Sequence, residues 1–377
     1  MNHALGHQAP ARAFRGQEAL RARGAATDRS ENFPRREEST RGRQVSNHKY
    51  LYIVGGRQRR TFRQFREWQS YDRARILRLD RRTMAISECV SYVSPAEVCH
   101  EQTPAVVFKA ASLVEDRLYA CTETEVLIYR LPGFDRIGYL SHRNFNDVHH
   151  VVPTREGTLL VALTGLDMVG EYDLDGRALR HWTVVDEKPW ERFSPDIDYR
   201  KIPTTKPHRS HPNYVFTIGE DIWVTRFEQS DARCLTRKEK PIDLGSHRVH
   251  DGIFHEGYLY FTQVTGHILK VDPNTLQVVE DIDLNLVEPR RPQELGWCRG
   301  LAFEGDEVWV GFTRIRHTKI RENLSFLKHG FERVGAYNTL PTRVACYNIP
   351  QRRLLHEVNL EDLRLNAVFS LHLTHLG

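Results

Sequence analysis

Five stretches of this 377-residue chain repeat one phrase. An apolar run meets a turn carrying Gly or an acid, and a second apolar run follows that ends on a small or hydroxyl residue. The five are S-L-V-E-D-R-L-Y-A-C (Ser112–Cys121), V-V-P-T-R-E-G-T-L-L-V-A (Val151–Ala162), V-F-T-I-G-E-D-I-W-V-T (Val215–Thr225), I-F-H-E-G-Y-L-Y-F-T (Ile253–Thr262) and L-A-F-E-G-D-E-V-W-V-G (Leu301–Gly311). Each reads as an antiparallel hairpin, because β-branched and aromatic residues favour strands while Gly, Asp and Asn punctuate them. A third and fourth strand follow, most clearly in His267–Leu284 and Met168–Val184. Helical periodicity is nearly absent. Four antiparallel strands in a repeating unit of roughly 35 to 55 residues point to the blades of a β-propeller.

The complete units are Pro104–Leu140, Val148–Val184, His211–Leu244, His250–Leu284 and Cys298–Leu360. Lys49–Val93 is a sixth unit without its first strand, and N-A-V-F-S-L-H-L-T (Asn366–Thr374) is a strand without a unit. Pairing that strand with Tyr50–Gly55 completes six blades and closes the ring, which removes exposed sheet edges. The expected fold is therefore an all-β, six-bladed propeller of four-stranded blades, closed by the C-terminal strand. The same strands could also build two β-sandwiches. Two interruptions, Asp186–Ser210 and Thr313–Tyr337, are long enough to cover or complete a site.

The net charge of +5 is concentrated at the start, where Met1–Ser46 holds nine Arg and five acids. Poor in β-branched and aromatic residues, 1–46 reads as a disordered Arg-rich tail ahead of a propeller domain at 47–377. Its acids argue against an organelle transit peptide. The rest is near neutral, so a nucleic-acid partner is not expected, although Arg57–Arg66 is a basic run with interleaved Phe. No run is long and apolar enough for a membrane helix and no secretory apolar core opens the chain, so the expected location is cytoplasmic. Six scattered cysteines without a C-x-x-C pair argue against thiolate zinc or a disulfide framework.

First strands of propeller blades line the central axis, so their leading residues converge. Counted back from the Pro or Phe ending each first strand, His149, His211, His250 and Arg299 take matching places. Converging imidazoles suit a divalent metal, and His149, His211 and His250 are the expected ligands; Zn, Fe or Ca is the expected cofactor. His150 must point away from His149, since neighbours on a strand face opposite ways. One of the two belongs at the site and the other toward a neighbouring blade, and His150 is the candidate acid–base group. Arg299 would hold an anionic substrate and assist the reaction. Asn146, Asp147 and Asp251 are candidate substrate contacts or imidazole-orienting groups. His208 could reach in from its loop, and Lys109, Cys298 and Asn366 could line the channel. Single strand-start histidines and loop Asn or Asp can also serve purely local bonding.

The hairpins H-P-N-Y-V-F-T-I-G-E-D-I-W-V-T (His211–Thr225) and H-D-G-I-F-H-E-G-Y-L-Y-F-T (His250–Thr262) resemble the repeat of propellers grouped around NHL repeats, streptogramin lyases and the SMP-30/gluconolactonase family. The resemblance spans most of Lys49–Thr374 and implies a ligand or metal at one channel mouth, held by the innermost strands. Its motif specifies no single activity. Gluconolactonase-like enzymes hold their metal mainly with Glu, Asn and Asp, where this chain is His-rich, so their reaction is not carried over. The expected function is a monomeric metal-binding propeller, an enzyme acting on a small anionic metabolite by hydrolysis, elimination or oxidation. The alternative is a non-catalytic scaffold or ligand-binding module that docks a protein partner.

Overall fold

The computed structural model describes residues 48–59, 69–290, 293–315 and 340–377. The expected disordered tail at 1–46, most of the basic run at 57–66 and nearly all of the 313–337 interruption lie outside the described residues. Within them, six four-stranded antiparallel sheets form, five of them running in chain order from an inner to an outer strand. Blades 2 to 6 begin at the strands Ser112–Val114, Val148–Pro153, Pro212–Ile218, Val249–His255 and Trp297–Glu304. Blade 1 draws its inner strand from the other end of the chain: Ala367–Thr374 pairs antiparallel with Tyr50–Gln58, matching Tyr50 with Thr374 and Gly56 with Ala367. The ring is closed by that strand, as the unmatched pieces of sequence require.

The aromatic that recurs in the second strand of four of the five hairpins has a packing reason. Trp223 of blade 4 is buried among Val249, Leu259 and Phe261 of blade 5. Trp309 of blade 6 is buried among Leu51, Ile53, Leu77 and Leu79 of blade 1. Tyr119 likewise joins the blade 3 core and Tyr260 the blade 6 core. Each aromatic thus fills the gap to the next blade, and losing one large core side chain costs about 3–5 kcal/mol. Five of the six cysteines are buried and all six are free thiols. Among the described residues no helix is long and apolar enough to cross a membrane.

Ring closure also needs a glycine. At Gly55 an added Cβ would stand 1.8 Å from the Ala367 carbonyl oxygen, inside the closing strand pair. Gly55→Ala is therefore expected to destabilise the protein by about 2–4 kcal/mol through overpacking. Denaturant unfolding measures it, and an unchanged midpoint would contradict this closure.

Candidate functional site

The inner strands carry bulges at the end where they approach the channel. Register shifts leave His149, Asn213, Gly300 and Phe369 as extra residues in blades 3, 4, 6 and 1, and Asp251–Gly252 share the extra place in blade 5. A bulge bends its strand and re-aims a side chain. The backbone is left-handed beside or at these points, with φ of 49° at Asp147, 59° at His211, 63° at Asp251 and 77° at Gly300. In blade register His149 therefore corresponds to Asn213, not to His211, while His250 corresponds to Arg299. Counting residues back along the sequence cannot see this offset.

His149 sits at the centre of a fixed polar group. Asn213 Nδ2 donates to the Val249 carbonyl at 3.0 Å, which turns its Oδ1 toward His149 Nδ1, 2.9 Å away. His149 Nδ1 then carries the proton and Nε2 holds a lone pair. That nitrogen lies 3.0 Å from Asp147 Oδ1. Two electron-rich atoms this close need a cation, and Lys109 supplies it, with Nζ 3.1 Å from Asp147 Oδ1 and 3.2 Å from His149 Nε2. Glu123 flanks Lys109 at 3.7 Å. Burial and the Lys109 charge push His149 down to about 4, against the pull of Asp147. Burial alone would raise Asp147, but Lys109 and His149 more than offset it and hold the carboxyl well below its ordinary value.

Beside this group, Asp147, His208 and His211 place one ligating atom each within 4.8 Å of one another. The two histidines face Nδ1 to Nδ1 at 2.9 Å. Two nitrogens bound to one ion at about 2.0–2.1 Å would stand about 3 Å apart, so the pair fits a shared cation. Burial, with His149 and His208 nearby, keeps His211 well below its ordinary value and hence neutral.

The 186–210 interruption is what delivers His208. Trp190, Phe193 and Ile202 pack on the blade 3 core around buried Tyr199. Asn146 donates both amide hydrogens to the carbonyls of Tyr199 and Ile202, at 2.9 and 2.8 Å. The fully buried carboxylate of Asp167 accepts the backbone amides of Arg209, Ser210 and His211 at 2.8, 3.0 and 2.8 Å and pairs with Arg192 at 2.6 Å. Asp167 thereby fixes the turn that carries both histidines, a role no local sequence signal marked. The H-R-S-H spacing of His208 and His211 was the visible clue.

The remaining expected site residues divide by geometry. Of the three expected ligands only His211 joins the triad; His149 Nε2 is engaged by Lys109, and His250 lies beyond the Phe227 ring, 5.4 Å from it. His150 points between blades, stacked on Tyr214 at 3.6 Å. Its Nδ1 accepts from the Val215 amide at 3.1 Å and its Nε2 faces Ser112 Oγ at 3.0 Å. Burial pushes it down to about 3. With both nitrogens occupied away from the channel, the acid–base part expected of His150 has no atom to act through. Asn146 holds the loop, with neither amide hydrogen left for a substrate. Asp251 joins blades 5 and 6, its Oδ2 accepting from Thr262 Oγ1 at 2.6 Å and the Gly300 amide at 2.9 Å. Arg299 lies against the rings of Trp297 and Phe369.

Around these residues the contacts close on themselves. Phe369 lies 5.3 Å from Lys109 and 4.8 Å from Arg299. Arg299 is 4.7 Å from Trp297, which is 6.4 Å from Phe227. Phe227 is 5.2 Å from His211, and His211 is 4.7 Å from His149. The mouth is walled by aromatic rings and cations, a feature sequence reasoning missed because Phe227 lies in the turn after the second strand of blade 4 and Phe369 sits on the closing strand.

No protein-family model matches the chain, and no curated protein sequence matches it. Solved structures do. A protein of unknown function from Bacteroides caccae is 10% identical with a TM-score of 0.55, covering 86% of this chain and 98% of its own. A nidogen/laminin complex is 9% identical with a TM-score of 0.50 over the same shares. A streptogramin B lyase structure is 11% identical with a TM-score of 0.44, covering 84% of this chain and 89% of its own. At these identities the likeness shows the fold alone, that of a β-propeller.

Asp251 gives the site a pH signature. Burial raises its carboxyl to about 6, against the opposing hydrogen bonds from Thr262 and Gly300. The folded state thus binds the proton more tightly than the unfolded chain, so this contribution to stability is full below about pH 4 and lost as pH rises through about 6. Asp251→Asn is expected to lack that component, which amounts to about 2–3 kcal/mol. Unfolding free energies across this window test it, and parallel profiles for the two proteins would contradict it.

Proposed function

We propose that this propeller is a divalent-metal protein acting on a small anion at its channel mouth, with Asp147, His208 and His211 as the ligands. The single observation that carries the reading is the convergence of those three side chains within 4.8 Å, with the two Nδ1 atoms 2.9 Å apart. Two neutral imidazoles and one carboxylate form the donor set of zinc and non-haem iron(II) sites; Ca²⁺ prefers oxygen alone, which argues against that expected alternative. A divalent ion bound there supplies Lewis-acid polarisation of substrate oxygen, the basis for hydrolysis or elimination, and for oxidation if the ion is iron.

The chain's own residues have separate parts. Asp167 holds the His208–His211 turn from behind, as outer partners of metal ligands do. Lys109 keeps Asp147 ionised and oriented. Arg299 offers a fixed positive charge across the channel for the anion. Asn146 keeps the loop seated over the mouth.

Elemental analysis of the purified protein is the test. We expect about one equivalent of a transition divalent ion, lost in His208→Ala and His211→Ala. Asp167→Ala, which removes no ligand, should weaken metal affinity about 10–100-fold. Chelated protein that takes up neither Zn²⁺, Mn²⁺ nor Fe²⁺, with no change in melting temperature on adding them, would refute the metal reading.

A further inference from the structure

Three arginines share one face of blade 1, on strands that do not line the channel. Outside its inner strand, this blade consists of Tyr50–Gln58, Tyr71–Asp80 and Ile86–Tyr92. Arg57 stands directly opposite Arg73 in register, and Arg75, two residues further on, stands opposite Ser91. Residues paired across strands, and residues two apart along one strand, point the same way. Ala74 and Ile76 point to the other face, into the core shared with Val106 and Phe108. Like charges directly opposite one another on neighbouring strands are destabilising, so this arrangement calls for a counter-charge. A cavity of about 240 Å³ opens on the arginine face, lined by these three arginines, Glu88, Ser91 and the Leu363–Arg364 turn.

The nearby carboxylates do not serve every arginine. Arg75 is fully occupied: Nε and Nη2 pair with Glu88, and Nη1 donates to the Leu363 carbonyl. Arg57 gives only Nε to Asp72, at 2.7 Å, and its two terminal nitrogens make no bond among the described residues. Arg73 has no carboxylate partner among the described residues. Its Nη1 donates to the neutral Ser91 Oγ at 3.1 Å, and its Nε is buried without a hydrogen-bond partner. A buried donor left unbonded is costly, which marks this guanidinium as incomplete rather than merely solvated. We infer that the cavity binds a phosphate group between Arg57 and Arg73. A guanidinium grips an oxyanion through two parallel N–H bonds. A carboxylate has only the two oxygens that one guanidinium uses. Tetrahedral phosphate offers oxygen pairs to two guanidiniums at once and brings a second negative charge. The volume falls below the roughly 300–1,000 Å³ of pockets that enclose whole drug-sized ligands, so a phosphate group is what fits. This site is separate from the channel mouth and from any metal there.

Calorimetric titration of the full chain tests this, with chelator present and ionic strength held at about 0.1 M so that screening stays constant. The probes are inorganic phosphate, acetate and glycerol phosphate. Phosphate should bind about tenfold more tightly than acetate and raise the melting temperature. Arg73→Gln should weaken phosphate about tenfold while melting, without phosphate, no earlier than the parent, because it relieves the like-charge pair. Arg57→Gln should weaken it similarly, and decides the matter if the first variant melts early. Arg82→Gln, outside the cavity, should leave phosphate binding unchanged. Glycerol phosphate binding as tightly as phosphate assigns the site to a phosphorylated ligand, and binding about tenfold weaker assigns it to free phosphate. Acetate binding as tightly as phosphate, no phosphate binding, or phosphate binding retained in both cavity variants would overturn the inference while leaving the elemental analysis untouched.

Discussion

The pairing of Ala367–Thr374 with Tyr50–Gln58 is the constraint on which everything else depends. Without it blade 1 lacks an inner strand, the ring is open and the channel has no wall on one side. Its effect travels around the molecule through side chains that bond from blade to blade. Thr313 Oγ1 meets the Val368 backbone between blades 6 and 1, and Ser370 Oγ accepts the Ala111 amide between blades 1 and 2. Ser112 meets His150, His149 meets Asn213, Asn213 donates to Val249, and Asp251 accepts from Gly300. Such bonds contribute only about 1 kcal/mol each on balance, but a buried one left unmade costs more, so the belt is strongest when whole. It is built from the same strand starts that form the site.

That shared use explains how chemistry and fold are divided between adjacent residues. His149 faces the channel and its neighbour His150 is given to the blade interface; His250 faces the channel and Asp251 bonds across to blade 6. The bulges make this possible, because an extra residue in the strand lets two consecutive side chains serve different neighbours. Burial then removes the proton from the histidines that face the channel, leaving them as neutral donors at physiological pH.

The fold was legible in the sequence because a propeller blade repeats its pattern: the hairpin phrase recurs, and in blades 2, 4, 5 and 6 an aromatic of the second strand fills the space to the next blade. Even the closure could be read, from a unit lacking its first strand and a strand lacking its unit. The site was legible only in part. Asp147, His211 and Arg299 stood near the right strand starts, but equal spacing from the strand end hid the bulges and paired His149 with His211. His208 comes from a loop whose seating depends on Asp167 and Asn146, residues far from it in sequence, and such long-range anchoring leaves no periodic trace. The aromatic wall was hidden for the same reason.

The central claim is that the ring and its anchored loop bring two imidazoles and a carboxylate onto one ion. X-ray absorption at the zinc edge of protein loaded with a single zinc addresses it directly. The account predicts nitrogen and oxygen neighbours at about 2.0–2.1 Å with the outer-shell scattering of two imidazoles, falling to one in His208→Ala. A sulfur shell near 2.3 Å, or an oxygen-only shell unchanged by His208→Ala, would contradict it.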